Sequence, residues 1–189
     1  GAEFGQVNGW ERPNYFTQND FDDSQSRSFR RGGWWEYSKN EAEAIRSGLG
    51  LIDSTAFTKH LVSGKNARKF LDWFTCNKLP SEGRINLTYA LSILGTIRTE
   101  YTIVCLSKES YYLISAGAWT EYDSDYLHKS LADSKFDDVS IYDCTSQWGV
   151  FSIAGPKSRN FLKKLVVSED PDKTLSNKEF PWLSYRDIE

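Results

Sequence analysis

An α+β fold, a mostly antiparallel sheet with packed helices, is predicted for this 189-residue chain by three observations. Between Gly83 and Ser115, strand-like runs follow one another across tight turns, which antiparallel pairing permits and parallel pairing, with its long crossovers, does not. Two strand-like runs, 57–64 and 150–155, end on a glycine and lead into segments of helical periodicity. Apolar residues make up 39% and aromatic residues 15%, enough for a sizeable core in one domain or a large part of one.

Residues 1–39 are rich in Gly, Asn, Asp, Arg and aromatics without periodicity. They read as an extended aromatic-rich arm, with TQNDFDDSQSRS between GWERPNYF and RRGGWWEY. Residues 40–189 supply the packed part. A first helix is expected over NEAEAIRSG, where Asn40 caps, Glu41 and Glu43 suit the positive end and Gly48 stops it. FTKHLVSG alternates as a strand, and KNARKFLDWF follows as a helix with Ala67, Phe70, Leu71 and Phe74 at helical spacing. GRINLTYALSILGTIRTEYTIVCL folds back at Leu94-Gly95 into two strands, and SKESYYLIS adds a third. AWTEYDSDYLHKSLAD puts Trp119, Tyr122, Tyr126 and Leu127 on a helical stripe, and VSIYDCTSQWGVFSIAG gives two more strands around Thr145-Ser146. PKSRNFLKKLV closes the series as a helix, with Pro156 near its start and Phe161, Leu162 and Leu165 on one stripe. Aligning Gly64 with Gly155 sets Arg68 on Arg159, Phe70 on Phe161 and Leu71 on Leu162. A duplicated strand–Gly–helix unit predicts two similar helices on one sheet; a chance match over so short a pattern predicts nothing further.

Composition narrows the function. Net charge is −3 and the longest basic cluster is RSFRR, so no electrostatic footprint for nucleic acid is visible. Cys76, Cys105 and Cys144 are widely spaced and read as reduced, buried thiols of an intracellular protein. Neither an 18-residue apolar run nor a charged-then-apolar leader occurs, which argues against a membrane span and a signal peptide. The chain has no Met, even at position 1, and stops at FPWLSYRDIE without a cap or loop signal, so both ends are expected to be cut from something longer. There is no P-loop, H-E-x-x-H or G-x-S-x-G, and GLG at 48–50 closes a helix where a dinucleotide site would open one. His60 and His128, far apart in sequence, read as structural or exposed, and no metal site is expected.

GTIRTEYTIV carries charge inside a strand. Alternation puts Ile97, Thr99, Tyr101 and Ile103 on one side and Arg98, Glu100, Thr102 and Val104 on the other. The second side either lines a site or is solvated, with Arg98 and Glu100 pairing loosely for about 0–1 kcal/mol. Tyr89, Leu91 and Trp119, with Glu100 as a fixed polar group, could wall a flat ligand; taken singly, each aromatic reads more readily as core.

EFGQVNGWERPNYF, SFRRGGWWEY, GLIDSTAFTKHLVSG, GRINLTYAL, GTIRTEYTIV and SIAGPKSR, in this order, resemble the tetrahydrofolate-binding region of dimethylglycine and sarcosine dehydrogenases. That region is similar to the glycine-cleavage T protein, an aminomethyltransferase. The resemblance covers nearly the whole chain and implies part of a T protein N-terminal-like folate-binding fold, its C-terminal part and a flavin domain lying elsewhere. It implies that the flavin domain, carrying FAD, oxidises an N-methyl amine, and that tetrahydrofolate captures the one-carbon unit as 5,10-methylenetetrahydrofolate. The partners implied are folate, a one-carbon donor and the protein's own flavin domain, with neither nucleic acid nor membrane. The location implied is the bacterial cytoplasm or the mitochondrial matrix.

Residue by residue, the resemblance sets Glu100 on a functional Asp of the family and gives it a catalytic role. It sets Thr102 on a pterin-contacting position, Leu87 where relatives often carry Tyr, and Ser115 where the T protein has Asn. Tyr89, on the same strand face as Leu87, compensates for that loss. Glu100 is expected to point into an aromatic-walled hollow fit for a reduced pteridine, of which this chain alone holds at most half. Two alternatives stand beside the catalytic reading: a non-catalytic folate-binding module, which Glu in place of Asp favours, and a related folate-dependent methyltransferase or demethylase with another donor, which the GWERPN arm argues against.

Overall fold

The computed structural model describes residues 1–7, 10–17 and 29–188. Most of the polar stretch 17–28 therefore lies outside the described residues. Two compact units emerge, Gly1–Ile52 with Ser152–Leu162 and Asp53–Phe151 with Lys163–Glu189. This division differs from the 1–39 and 40–189 read from the sequence.

In the first unit, β1 (Ala2–Val7) and β2 (Trp10–Phe16) form an antiparallel hairpin with a bulge at Glu3/Phe4. The expected arm is thus a hairpin followed by helix α1 (Trp34–Ser47), which starts six residues before Asn40. Gly32 and Gly33 break the extended chain, and the Trp35 N–H bonds the Gly32 carbonyl at 3.0 Å to close the first turn. No residue of α1 is fully buried, and Trp34, Trp35, Tyr37 and Ile45 are half-buried. Strand β3 (Gly50–Asp53) pairs with β9 (Phe151–Ala154), and helix α4 (Ser158–Leu162) follows.

The second unit holds β4 (Thr58–Ser63), α2 (Ala67–Phe74), β5 (Ile85–Leu91), β6 (Ile97–Ser107), β7 (Ser110–Ser115), α3 (Thr120–Ala132), β8 (Ser140–Asp143) and the short helix α5 (Pro171–Thr174). Its sheet runs β5-β6-β7-β4-β8, every neighbouring pair antiparallel. The β5–β6 turn centres on Gly95 at φ +77°, as the Leu94-Gly95 fold-back requires. Ala67, Phe70, Leu71 and Phe74, the predicted stripe of α2, are all buried and pack with Val62, Tyr101, Ile103, Tyr111 and Leu113 in one core. Phe70 stacks on Phe74 with ring centroids 5.6 Å apart.

α3 departs from prediction. Its buried residues are Asp123 and Leu127, whereas Trp119 and Tyr122 are exposed. The Thr120 hydroxyl lies 2.6 Å from that of Thr58 on β4, which turns Thr120 toward the sheet. Positions three and seven residues on, Asp123 and Leu127, then face inward too. Of the thiols, Cys105 and Cys144 are buried and Cys76 is exposed, correcting the expectation for Cys76; all three are free.

The strand–Gly–helix repeat is matched locally. Gly64 and Gly155 adopt φ of +126° and +110°, conformations that favour glycine. The Ala67 N–H bonds Gly64 O at 3.0 Å as the Ser158 N–H bonds Gly155 O at 3.1 Å, and Phe70 to Asn66 O is repeated by Phe161 to Lys157 O. An Asp-x-Thr turn repeats as well. Thr55 N–H bonds Asp53 Oδ1 at 2.9 Å and Thr145 N–H bonds Asp143 Oδ1 at 2.8 Å. Each turn grips the other copy's strand: Ser54 N–H bonds Val150 O and Cys144 N–H bonds Lys59 O, while Val150 N–H and Lys59 N–H each bond a threonine Oγ1, of Thr55 and Thr145, at 3.0 Å. The one-sheet expectation fails, however. β4 belongs to the five-stranded sheet and β9 to the β3–β9 pair, because the copies exchange the strand carrying Asp-x-Thr.

Candidate functional site

Helices cover one face of the five-stranded sheet, and side-chain alternation sends four of the predicted site residues to the other. Tyr89 on β5 lies directly opposite Glu100 on β6, and Leu87 lies opposite Thr102. The row continues across the sheet, from Thr102 to Ile114 on β7 and from Ile114 to Lys59 on β4. Leu87, Thr102, Ile114 and Lys59 thus cross four strands in one line, with the Tyr89–Glu100 pair beside it. Glu100 and Leu87 are exposed, Tyr89 and Thr102 half-buried. The row is open at its Glu100–Leu87 end and closed at its Lys59 end.

Arg98 leaves this face. A bulge where Ala90 and Leu91 meet Thr99 and Ile97 turns it away, and its guanidinium carbon sits 5.2 Å from the ring centre of Tyr122 and 5.4 Å from that of Tyr126, both on α3. The charged pair imagined in GTIRTEYTIV is therefore split across the sheet. Glu100 has the Tyr89 phenol as its neighbour, and by accepting a hydrogen bond from it and adding its own negative charge, the carboxylate holds Tyr89 above its ordinary pKa.

Ser115 falls elsewhere. It is buried on the helix-covered face, opposite Thr58, and does not join the other four residues. Leu91 lies at the bulge, and Trp119 makes an edge contact with Tyr122.

Lys59 was not singled out from sequence. It is fully buried, and its Nζ donates to the carbonyls of Thr55 at 2.7 Å and Phe57 at 2.8 Å. Burial draws its pKa below the ordinary lysine value, partly offset by the charges around it, Cys144, Asp143 and Asp53. The signal was present in TKHLVS, whose alternation already set Lys59 on the face opposite His60. His60 and His128, distant in sequence, come together with ring centroids 6.4 Å apart in an edge-on contact. Among the described residues, no three His, Cys, Asp or Glu side chains gather as metal ligands.

A five-stranded antiparallel sheet with helices on one face defines an α+β fold shared with an aminomethyltransferase of known structure. The glycine cleavage system aminomethyltransferase T of Bartonella henselae matches over 87% of this chain and 40% of its own, with a TM-score of 0.67 at 18% identity. The chain belongs to the GCVT N-terminal domain family, which matches residues 1–189. The mitochondrial dimethylglycine dehydrogenase of Mus musculus is 30% identical over 175 residues, 91% of this chain and 20% of that protein. The mitochondrial pyruvate dehydrogenase phosphatase regulatory subunit of the same species is 27% identical over 188 residues, 95% of this chain and 21% of that protein. The chain therefore spans about a fifth of the length of these relatives.

Proposed function

We propose that this chain forms one wall of a tetrahydrofolate site in a flavin-dependent dehydrogenase of dimethylglycine, sarcosine or a similar N-methyl amine, where the one-carbon unit released by oxidation is captured. The observation that carries this reading is that Glu100, Tyr89, Thr102 and Leu87 share the sheet face opposite the helices. These residues suit a reduced pteridine, a flat ring with amine and amide edges. Leu87 and Ile114 offer apolar contact, the Tyr89 ring a stacking surface, and Thr102 and Glu100 hydrogen-bonding oxygens. Bound tetrahydrofolate supplies the nucleophilic amine nitrogens of the reaction.

Glu100 then has two tasks, accepting a proton from an amine and stabilising positive charge that develops beside it. Tyr89 holds the carboxylate in position through the phenol hydrogen, and Thr102 orients the ring. Lys59 fixes the segment that leads into β4 by tethering two of its carbonyls. FAD and the amine pocket belong to another domain of the full-length protein in this reading. The mitochondrial matrix or the bacterial cytoplasm is the location proposed; among the described residues no helix is long and apolar enough to cross a membrane.

The test is the yield of 5,10-methylenetetrahydrofolate from the full-length protein supplied with amine and tetrahydrofolate. Glu100→Ala is expected to cut it about 100-fold or more, and Glu100→Asp to retain much of it. A second reading, a non-catalytic folate-binding module, is favoured by the regulatory subunit among the relatives; unchanged yield in both variants would establish it over the first. A third reading, a methyltransferase or demethylase acting on another donor, predicts turnover without an amine oxidation step.

A further inference from the structure

On the helix-covered face of the five-stranded sheet, four buried polar side chains gather beneath α3. Thr102 pairs with Ile114, which sets Tyr101 across from Ser115, and Ser115 in turn pairs with Thr58. His60 follows two residues after Thr58 on the same face of β4. Over this row, the Thr58–Thr120 hydroxyl contact of 2.6 Å fixes the start of α3 and brings Asp123 inward one turn later. His60, Tyr101, Ser115 and Asp123 are each at most 4% exposed. Both His60 ring nitrogens, the Tyr101 hydroxyl, Ser115 Oγ and both Asp123 carboxylate oxygens have no hydrogen-bond partner among the described residues. The charge of Asp123 reaches both Tyr101 and His60; the Thr99 hydroxyl also faces the Tyr101 phenol, and Asp143 and His128 face His60.

We infer that Asp123, His60, Tyr101 and Ser115 enclose an internal hydration site, in which ordered water bridges α3 to the back of β6. The donor and acceptor inventory selects this occupant. The carboxylate only accepts, the two hydroxyls and one imidazole N–H must donate, and none of these groups meets another at bonding distance. Water both donates and accepts, and so satisfies every member of such a set. A metal cation would consume the carboxylate lone pairs and leave the hydroxyl and imidazole hydrogens without acceptors. Six buried polar atoms left desolvated would cost as much as the whole stability of an ordinary domain. Tyr101 stands between Glu100 and Thr102 in β6, so the bridging water anchors the strand from behind. This inference does not depend on the function proposed above.

A crystal structure of the full-length protein, at a resolution that orders internal solvent and with a thallium-soaked companion crystal, tests it. Density within hydrogen-bond reach of Asp123 and of at least one of His60, Tyr101 or Ser115, without anomalous signal, is the expected result. An anomalous peak, or side chains repacked into direct pairs around no density, overturns it. In hydrogen exchange on the full-length protein, Asp123→Leu is expected to raise the opening of the α3 amides about tenfold or more, and Asp123→Asn, which still bonds water, far less. Equal, unchanged exchange in both variants also overturns it.

Discussion

Gly64 offers a perturbation whose size can be worked out from the structure. It sits at φ +126°, and a Cβ added there would lie 2.0 Å from the carbonyl oxygen of Asp138. Gly95, at φ +77°, has nothing within 4 Å of the same imagined atom. Gly95→Ala therefore isolates the backbone cost of a left-handed residue, about 1–2 kcal/mol. Gly64→Ala adds a less accessible φ and a clash with main chain, which together raise the total to roughly 3–5 kcal/mol. The Asp138 carbonyl cannot simply retreat, because residues 137–139 lead into β8, which is paired along β4. Urea denaturation of the two variants, followed by tryptophan fluorescence, measures the difference. Equal losses would refute the reasoning, since they would show that the close approach at Gly64 is not a feature of the folded chain.

Four further outcomes follow from the same geometry. Phe70→Ala, which empties a fully buried ring site, should destabilise by about 3–5 kcal/mol in thermal unfolding. Thr120→Val removes the closer of the two partners of the buried Thr58 hydroxyl, leaving the Ala116 carbonyl at 3.5 Å, and should cost about 1–2 kcal/mol. Thr55→Val and Thr145→Val each delete one acceptor of a backbone N–H at 3.0 Å, so the two should destabilise alike, by about 1–3 kcal/mol, if the repeats are equivalent. The neighbouring carboxylate favours the protonated phenol of Tyr89, so Glu100→Gln should let Tyr89 lose its proton at lower pH than in the parent chain. A Tyr89 ring-carbon NMR titration reads the direction, and a shift to higher pH would contradict it.

Much of the second unit was legible from residues alone. The stripe Ala67, Phe70, Leu71, Phe74 is the buried face of α2, since an amphipathic helix on a sheet writes its period into the sequence. The turn at Gly95 and the strands on either side were equally plain. The C-terminal half of α1 is legible in NEAEAIRSG, but its start is not, because the Gly32-Gly33 break sets it and no fully buried stripe marks it. α3 was misread because polar residues, Thr120 and Asp123, occupy its inward positions, and hydrophobicity favoured Tyr122 instead. The repeat was recognised at its glycines, while the Asp-x-Thr turns that cross-link the two copies went unseen because each spans only three residues.

At the candidate site, strand alternation correctly grouped Glu100 with Thr102, and Tyr89 with Leu87. The register that places Tyr89 opposite Glu100 depends on the hairpin turn and on the bulge that removes Arg98. Lys59 and Ile114 extend the row only through pairing across three strand boundaries, which no local pattern encodes. Ser115 was assigned through resemblance alone, and alternation from Ile114 puts it on the reverse face.

The proposed site requires a reduced folate to contact the sheet face at Glu100, Tyr89 and Thr102. Calorimetric titration of the full-length protein with tetrahydrofolate, run beside the glycine-cleavage T protein, addresses this directly. Saturable heat that weakens at least tenfold in the Glu100→Ala, Thr102→Val double variant is predicted. A flat titration while the T protein responds, or undiminished binding in the variant, would contradict it.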